Sequence, residues 1–498
     1  MQNNTSAQSA SKGQAAFSSP QKDCRGNNKE PLTAPSGEVI DPNDIHRNII
    51  VLHIGEWYDG KHIDEVAFCN VFLGYNPMLC YYGHFFSYEG FVEDETVKHE
   101  VFEYLRLSGS RGLSRKVKDL TETLKLAAYV KDMPVHDDRV YLANGTFFPD
   151  GTFKDDTDIV LNRLKVKYDP KAKAPTAWQK FINELLSPED VKTFQEYLGY
   201  CLIPSTKGQK MMFIIGEGGE GKSCIGNIIQ AIFGDNVNIG CLDALEKNRF
   251  ARADLENKLL FIDDDMKMES LPSTNVIKSL VTSEGKSSIE RKNEQSVQRD
   301  IYARLICFGN GNPGSLYDHS NGFYRRQIIL RTKPKAKDRV DDPYLTDKFM
   351  RELEGIVLWA LAGLTRLVKN NYMFTISDEA KANLMEVQTE GNNSVLFLKS
   401  EGYLCFDEGK SASSADLYRC YLTWCHDNAF HSVSSNTFCG YLKQHSACLG
   451  IRPSNNVLSK DGRKVRGFTG IGVSISTGFV PFDGPTPFDT KPDDLFVQ

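Results

Sequence analysis

Gly216, Gly221, Lys222 and Ser223 stand at the spacing G-x-x-x-x-G-K-[ST], the pattern of a loop that wraps phosphate. The chemistry requires these residue types. Glycines let the backbone turn tightly enough to aim successive N–H groups at phosphate oxygens. Gly216, Glu217, Gly218, Gly219, Glu220, Gly221, Lys222, Ser223 and Cys224 are therefore the expected nucleotide-binding residues. Lys222 is expected to reach the β- and γ-phosphates of ATP or GTP, and the Ser223 hydroxyl to sit on Mg²⁺. Two acids lie inside the loop, Glu217 and Glu220. They would weaken phosphate binding if they pointed inward. Because backbone N–H groups do the cradling, both side chains are expected to face solvent.

Three further stretches supply chemistry that such a loop needs. Leu259–Ile262 is apolar and ends in Asp263, Asp264 and Asp265, forty-one residues beyond Lys222 at its first carboxylate. Asp263 is expected to hold Mg²⁺ with Ser223, and Asp264 to orient and polarise the attacking water; Asp265 leaves the register open by one. Leu305–Phe308 ends at Gly309-Asn310-Gly311-Asn312. Asn310, nearer the strand end than Asn312, is the expected γ-phosphate sensor or water-positioning amide. Arg325 and Arg326 enter the apolar run Gln327–Leu330, where twin cations need an anionic partner. Arg326 reads as an arginine finger for a neighbouring subunit's γ-phosphate.

The surrounding elements must hold these groups. Met211–Ile215, Leu259–Ile262, Leu305–Phe308 and Gln327–Leu330 are continuous apolar runs, as in parallel strands covered on both faces. Ile225, Ile228, Ile229 and Ile232 follow the loop at helical spacing, so a helix N-terminus faces the anion. Upstream, Trp178, Phe181, Ile182, Leu185 and Leu186 share a helical face, and Ser187-Pro188-Glu189-Asp190 reads as the start of the next helix. Ile356–Leu367 is a strongly apolar helix after the sheet. The expected class is α/β, a P-loop NTPase core with a mainly parallel sheet behind a helical collar region.

The four motifs together resemble the superfamily 3 helicases of the AAA+ class, more closely the phage- and plasmid-type primase-helicases related to poxvirus helicases. The resemblance runs over about Tyr141 to Val473 and takes in Asn162–Leu164, Tyr168–Pro170, Tyr197–Tyr200, Lys278–Gly285, Glu290–Lys292 and Asp416–Cys425. It implies a hexameric ring that uses ATP to move along DNA, 3′ to 5′, for replication of a phage, plasmid or other mobile element. It implies a hairpin entering the central channel, here Ser287–Arg304, with Arg291 and Lys292 at or near the tip. Lys278 and Lys286 join them as expected DNA contacts. The segment Gly285–Arg304 holds five basic residues against three acids, within a chain of net charge −6. The family commonly has Asn where Glu220 stands, and further cations where Asn293 and Glu294 stand. No acidic D-x-D site with a following basic residue precedes the match, so a helicase without priming activity is expected. The alternative is an AAA+ DNA-binding ATPase for origin recognition, loading or packaging.

The chain is 498 residues long, enough for several domains. The expected division is a disordered tail over 1–44, an N-terminal domain of unassigned role over 45–150 and the collar over 151–208. The ATPase domain follows over 209–375, then a linker helix with a winged helix over 376–473, and a loose acidic tail over 474–498. His84, His99 and His136 lack metal-ligand spacing. In the C-terminal region two helices precede a hairpin turning at Asp461-Gly462, the order of a winged helix. Its cations Lys460, Arg463, Lys464 and Arg466 are expected on DNA. Cys420 and Cys425 fall on the apolar stripe of Leu417, Tyr421 and Trp424, where cysteine acts as a small hydrophobe rather than a zinc ligand. The end Asp493–Phe496 has the chemistry to dock a replication protein of host or element. No run approaches membrane-span length and no signal core is present, so a protein of the bacterial host cytoplasm is expected, with no membrane partner.

Overall fold

The six residues Met211–Gly216 form a strand whose first five side chains are buried. Met211, Phe213 and Ile215 belong to one hydrophobic cluster with Phe261, Leu305 and Ile329. Met212 and Ile214 are equally buried and, by the two-residue period, face the other way. Such a strand needs cover on both faces. In the computed structural model it is fourth in a five-stranded sheet ordered Val237–Ile239, Leu260–Met266, Arg304–Asn310, Met211–Gly216 and Gln327–Arg331. Every pairing is parallel, so all five C-terminal ends lie along one edge. Four of these strands stand where the apolar runs predict them. Val237–Ile239 is an addition; at three residues, with Asn238 in the middle, it has no apolar run to announce it. The structure describes residues 31–266, 274–282, 286–292, 295–310, 321–335, 342–391, 393–428, 430, 432–459 and 461–474.

The chain divides into two compact units. One is built from the described residues up to Val135 with Ala143–Gly145 and Lys154–Leu164. Its helices Ile45–Trp57, Glu65–Tyr75, Asp94–Leu107 and Leu113–Ala127 bury Trp57, Phe68, Phe72, Tyr104 and Leu124 together with Phe85 of a three-stranded antiparallel sheet. The other unit carries the parallel sheet.

Within that second unit, helices before and after the sheet clasp one another. Ser187 caps Pro188–Cys201 by accepting the Asp190 N–H, with Pro at the helix start, as the sequence predicts. This helix lies against Leu353–Lys369. A Cβ on Gly199 would stand 2.4 Å from the Ala360 carbonyl oxygen, and one on Gly363 would stand 2.2 Å from that of Gln195. Gln195 Nε2 donates to the Trp359 carbonyl at 2.8 Å, and Arg366 pairs with the buried Glu196 at 2.6 Å. Glu352 accepts the N–H groups of Ala177 and Trp178, capping Thr176–Leu185.

The C-terminal segment places helices Ser414–Asp427 and Ser435–Gln444 beside an antiparallel sheet of Leu404–Ser413, Lys464–Val473 and Arg452–Leu458. Cys420 and Cys425 sit in its core with Leu417, Tyr421, Trp424 and Phe438. Burial pushes their thiols up to about 12 and about 11. Gly462 turns the hairpin at φ +75°. Among the described residues no helix is long and apolar enough to cross a membrane.

The glycine contacts yield a stability prediction. Gly199→Ala forces Cβ into helix backbone and should cost about 1 to 3 kcal/mol or more. Gly440→Ala, in an exposed helical position with nothing within 4 Å, should gain about 0.5 to 1 kcal/mol. Thermal unfolding compares them; equal midpoints would refute the close-packing account.

Candidate nucleotide and nucleic-acid sites

The loop leaves the sheet at Gly216 and enters helix Lys222–Phe233 through Gly221. Gly218, Gly219 and Gly221 hold φ of +108°, +80° and +104°, which side chains other than glycine rarely tolerate. Gly216 is held by proximity instead. A Cβ there would stand 2.3 Å from Thr332 Oγ1, 2.7 Å from Glu220 Oε1 and 2.8 Å from Lys222 Nζ. The loop borders a cavity of about 510 Å³, lined also by Asp264, Asp265, Gly309 and Asn310, with Asp342 and Leu345 completing the wall. Asn310 is the Cα partner of Gly216 across the sheet. Its Oδ1 lies 3.9 Å from where a Cβ on Gly218 would stand.

The structure corrects one of the two loop acids. Glu220 does not face solvent: it is 2% exposed. Its Oε1 accepts the N–H groups of Glu217 at 2.5 Å and Gly218 at 2.8 Å, and its Oε2 pairs with Lys222 Nζ at 2.8 Å. Burial opposes its charge, but the Lys222 ammonium and the loop N–H groups outweigh that and hold the carboxyl below its ordinary range. Glu217 is exposed.

The acidic strand end also departs from expectation. Asp263 is 3% exposed. Its Oδ2 accepts the Leu242 N–H at 2.7 Å, at the start of helix Leu242–Lys247. Burial raises its pKa, against the lowering effect of bonds from the Leu242 and Asp265 backbone. Asp264 and Asp265 are exposed and line the cavity. The cause is local. The register against Arg304–Asn310 shifts between Asp263 and Met266, and a bulge of this kind re-aims side chains.

Arg325 and Arg326 do not meet the loop of their own chain. The Arg326 carbonyl accepts the Met211 N–H at 2.8 Å, at the edge where strands begin. The loop lies at the edge where they end, about 16 Å away along a five-residue strand. Arg325 is exposed, and the Arg326 guanidinium donates to the Gly322 carbonyl. Both line a second cavity of about 490 Å³ with Lys207, Lys210, Tyr372 and Phe374. Burial and the nearby Arg325 hold the Lys210 ammonium below its usual pKa. Lys207 and Lys210 stand within four residues of the strand start but belong to no motif in the sequence.

The hairpin forms from Lys286–Ile289 and Val297–Asp300. Its cations are unequal. Arg304 is 1% exposed and donates to the carbonyls of Tyr302, Val281 and Leu280, which makes it structural. Arg291 and Arg299 both bind the buried carboxylate of Glu256. Arg291 stands in the connection between the two strands, where a tip or near-tip cation is expected, but its guanidinium is paired within the chain. Lys286 and Lys292 are exposed, and Lys278 is half-buried. Arg249 pairs with Glu290 at 3.1 Å and stands over the exposed Phe250 ring at 5.1 Å. No spacing rule in the sequence marks this Arg–Phe pair beside the hairpin. In the C-terminal hairpin Arg452, Arg463, Lys464 and Arg466 are exposed, while Lys460 lies outside the described residues.

Comparison with known proteins adds the following. A family model described as "Family of unknown function (DUF5906)" matches residues 214–326. The A form apo structure of the NrS-1 C terminal region is similar at a TM-score of 0.44 and 13% identity, over 78% of this chain and 88% of that one. A further apo structure of that region is similar at a TM-score of 0.44 and 10% identity, over 83% of this chain and 100% of that one.

Glu256 holds two guanidinium groups from the hairpin. Glu256→Gln should cost about 1 to 3 kcal/mol of local stability, read as faster amide hydrogen exchange over 286–289 and 297–300. Unchanged exchange would show that the hairpin does not depend on this carboxylate.

Proposed function

We propose that this chain is an ATP-hydrolysing DNA helicase acting as a ring of copies, with a P-loop core of the AAA+ type and a winged helix behind it, in replication of a mobile element. The observation that carries the reading is the convergence, at the C-terminal edge of a parallel sheet, of the glycine loop, Lys222, Ser223, two open carboxylates and Asn310. Ligands of open parallel sheets bind at that edge. A hydroxyl and exposed carboxylates are the hard oxygen donors that Mg²⁺ takes. When bound, the ion neutralises charge on the transferring phosphoryl group.

The roles follow from exposure. Lys222 serves the β- and γ-phosphates, and loop N–H groups serve the rest. Ser223 and Asp264 hold the ion. Asp265 orients the attacking water, with Asn310 beside the γ-phosphate. Asp263, turned to Leu242, positions the strand end rather than the metal.

The ring part of the reading is supported by the separation of Arg325 and Arg326 from their own loop. Cations at the opposite edge can complete a phosphate site only in another copy. For DNA, Lys286, Lys292 and Arg249 offer phosphate contacts, and Phe250 offers a face on which a base can stack. The wing cations Arg452, Arg463, Lys464 and Arg466 suit duplex backbone.

The decisive test is ATP turnover with forked DNA. Lys222→Ala and Asp264→Asn should each abolish hydrolysis, while Asp263→Asn should mainly lower the unfolding midpoint. Persistent turnover in Lys222→Ala would refute the assigned site. Arg326→Ala should be inactive alone and regain part of its activity when mixed with Lys222→Ala. Rings that hydrolyse ATP yet leave a fork intact would point to DNA loading or packaging instead.

A further inference from the structure

The residue before the closing Gly-Lys pair of the loop is an acid, and the fold gives that acid a partner. Glu220 Oε2 lies 2.8 Å from Lys222 Nζ, while Oε1 takes the N–H groups of Glu217 and Gly218. Lys222 is itself 8% exposed. Its ammonium is drawn beneath the loop, against the space left by the missing Cβ of Gly216. The one side-chain cation that the loop can offer a nucleotide is therefore already paired. A ligand gains Lys222 only by offering it more negative charge, at the right place, than Glu220 does. Charge-assisted bonds of this kind are the strong ones, and a buried carboxylate left without its cation is costly.

Resting on the nucleotide-site reading above, we infer that Glu220 is a specificity-determining residue that competes with the nucleotide for Lys222. Ligands with β- and γ-phosphates displace the pair. A monophosphate, with a single phosphate group to offer in place of the Glu220 carboxylate, does not. The carboxylate thereby sets both the affinity for the triphosphate and the preference for longer phosphate chains. Its hold on two loop N–H groups keeps it in place once Lys222 has moved, so the loop keeps its shape.

Glu220→Gln tests this. The amide oxygen can still accept from the loop, but the charge that holds Lys222 is gone. Calorimetric titration of the full-length protein with MgATP, MgADP and AMP should show MgATP bound about tenfold more tightly than by the wild type, the factor of one charge-assisted bond. MgADP should gain as much or less, and AMP should not change. Glu220→Asn, shorter and uncharged, should tighten MgATP as well and stands in if the glutamine variant does not fold. If the wild type binds MgATP and neither variant binds it more tightly, the inference falls while the nucleotide site stands. Equal gains for AMP and MgATP would also overturn it, because they would place the effect away from Lys222. A wild type that binds no nucleotide at all would remove both readings.

Discussion

Thr332 Oγ1, Glu220 Oε1 and Lys222 Nζ all crowd within 2.8 Å of the point that a Cβ on Gly216 would occupy. That bare Cα lets the loop fold back over the end of a neighbouring strand. The following glycines then carry the backbone through left-handed angles into the helix. The cavity, the aim of the lysine and the burial of the glutamate all follow from this approach. A loop of the same charges with any side chain at 216 would have to open.

The parallel sheet imposes the second constraint. Because every pairing runs the same way, each strand has a beginning at one edge and an end at the other. Acids, amide and lysine gather at the ends, and Lys207, Lys210, Arg325 and Arg326 gather at the beginnings. Neither group can reach the other within one chain.

The sequence was legible where one residue type has one use. The glycine-lysine loop, the four long apolar strands and the capped helix at Ser187 stand where pattern and capping rules put them. Departures came where distant or local geometry decides. Asp263, Asp264 and Asp265 are chemically alike, and only the register shift turns the last two outward. Glu220 reads as solvent-facing in the sequence, because no rule of composition reveals that two backbone N–H groups and a lysine lie beneath the loop. Arg291 is expected on DNA, and its pairing with Glu256 is hidden from the sequence because that carboxylate lies 35 residues earlier. Phe250 and Lys210 carry no spacing signal and became visible only through exposure and shared cavities.

The clasp between Pro188–Cys201 and Leu353–Lys369 joins residues made far apart in time. Gln195 bonds to a carbonyl 164 residues later, and the bare faces of Gly199 and Gly363 each meet backbone of the opposite helix. Chains are synthesised from the N-terminus at about 5 to 20 residues per second. At that pace the first helix emerges on the order of ten to thirty seconds before its mate. Through that interval the part of its face that meets Leu353–Lys369, with Gln195 and Gly199, waits for its cover. The strands that carry the glycine-rich loop emerge in the same interval, ahead of Leu353–Lys369 and of the whole segment Leu404–Val473.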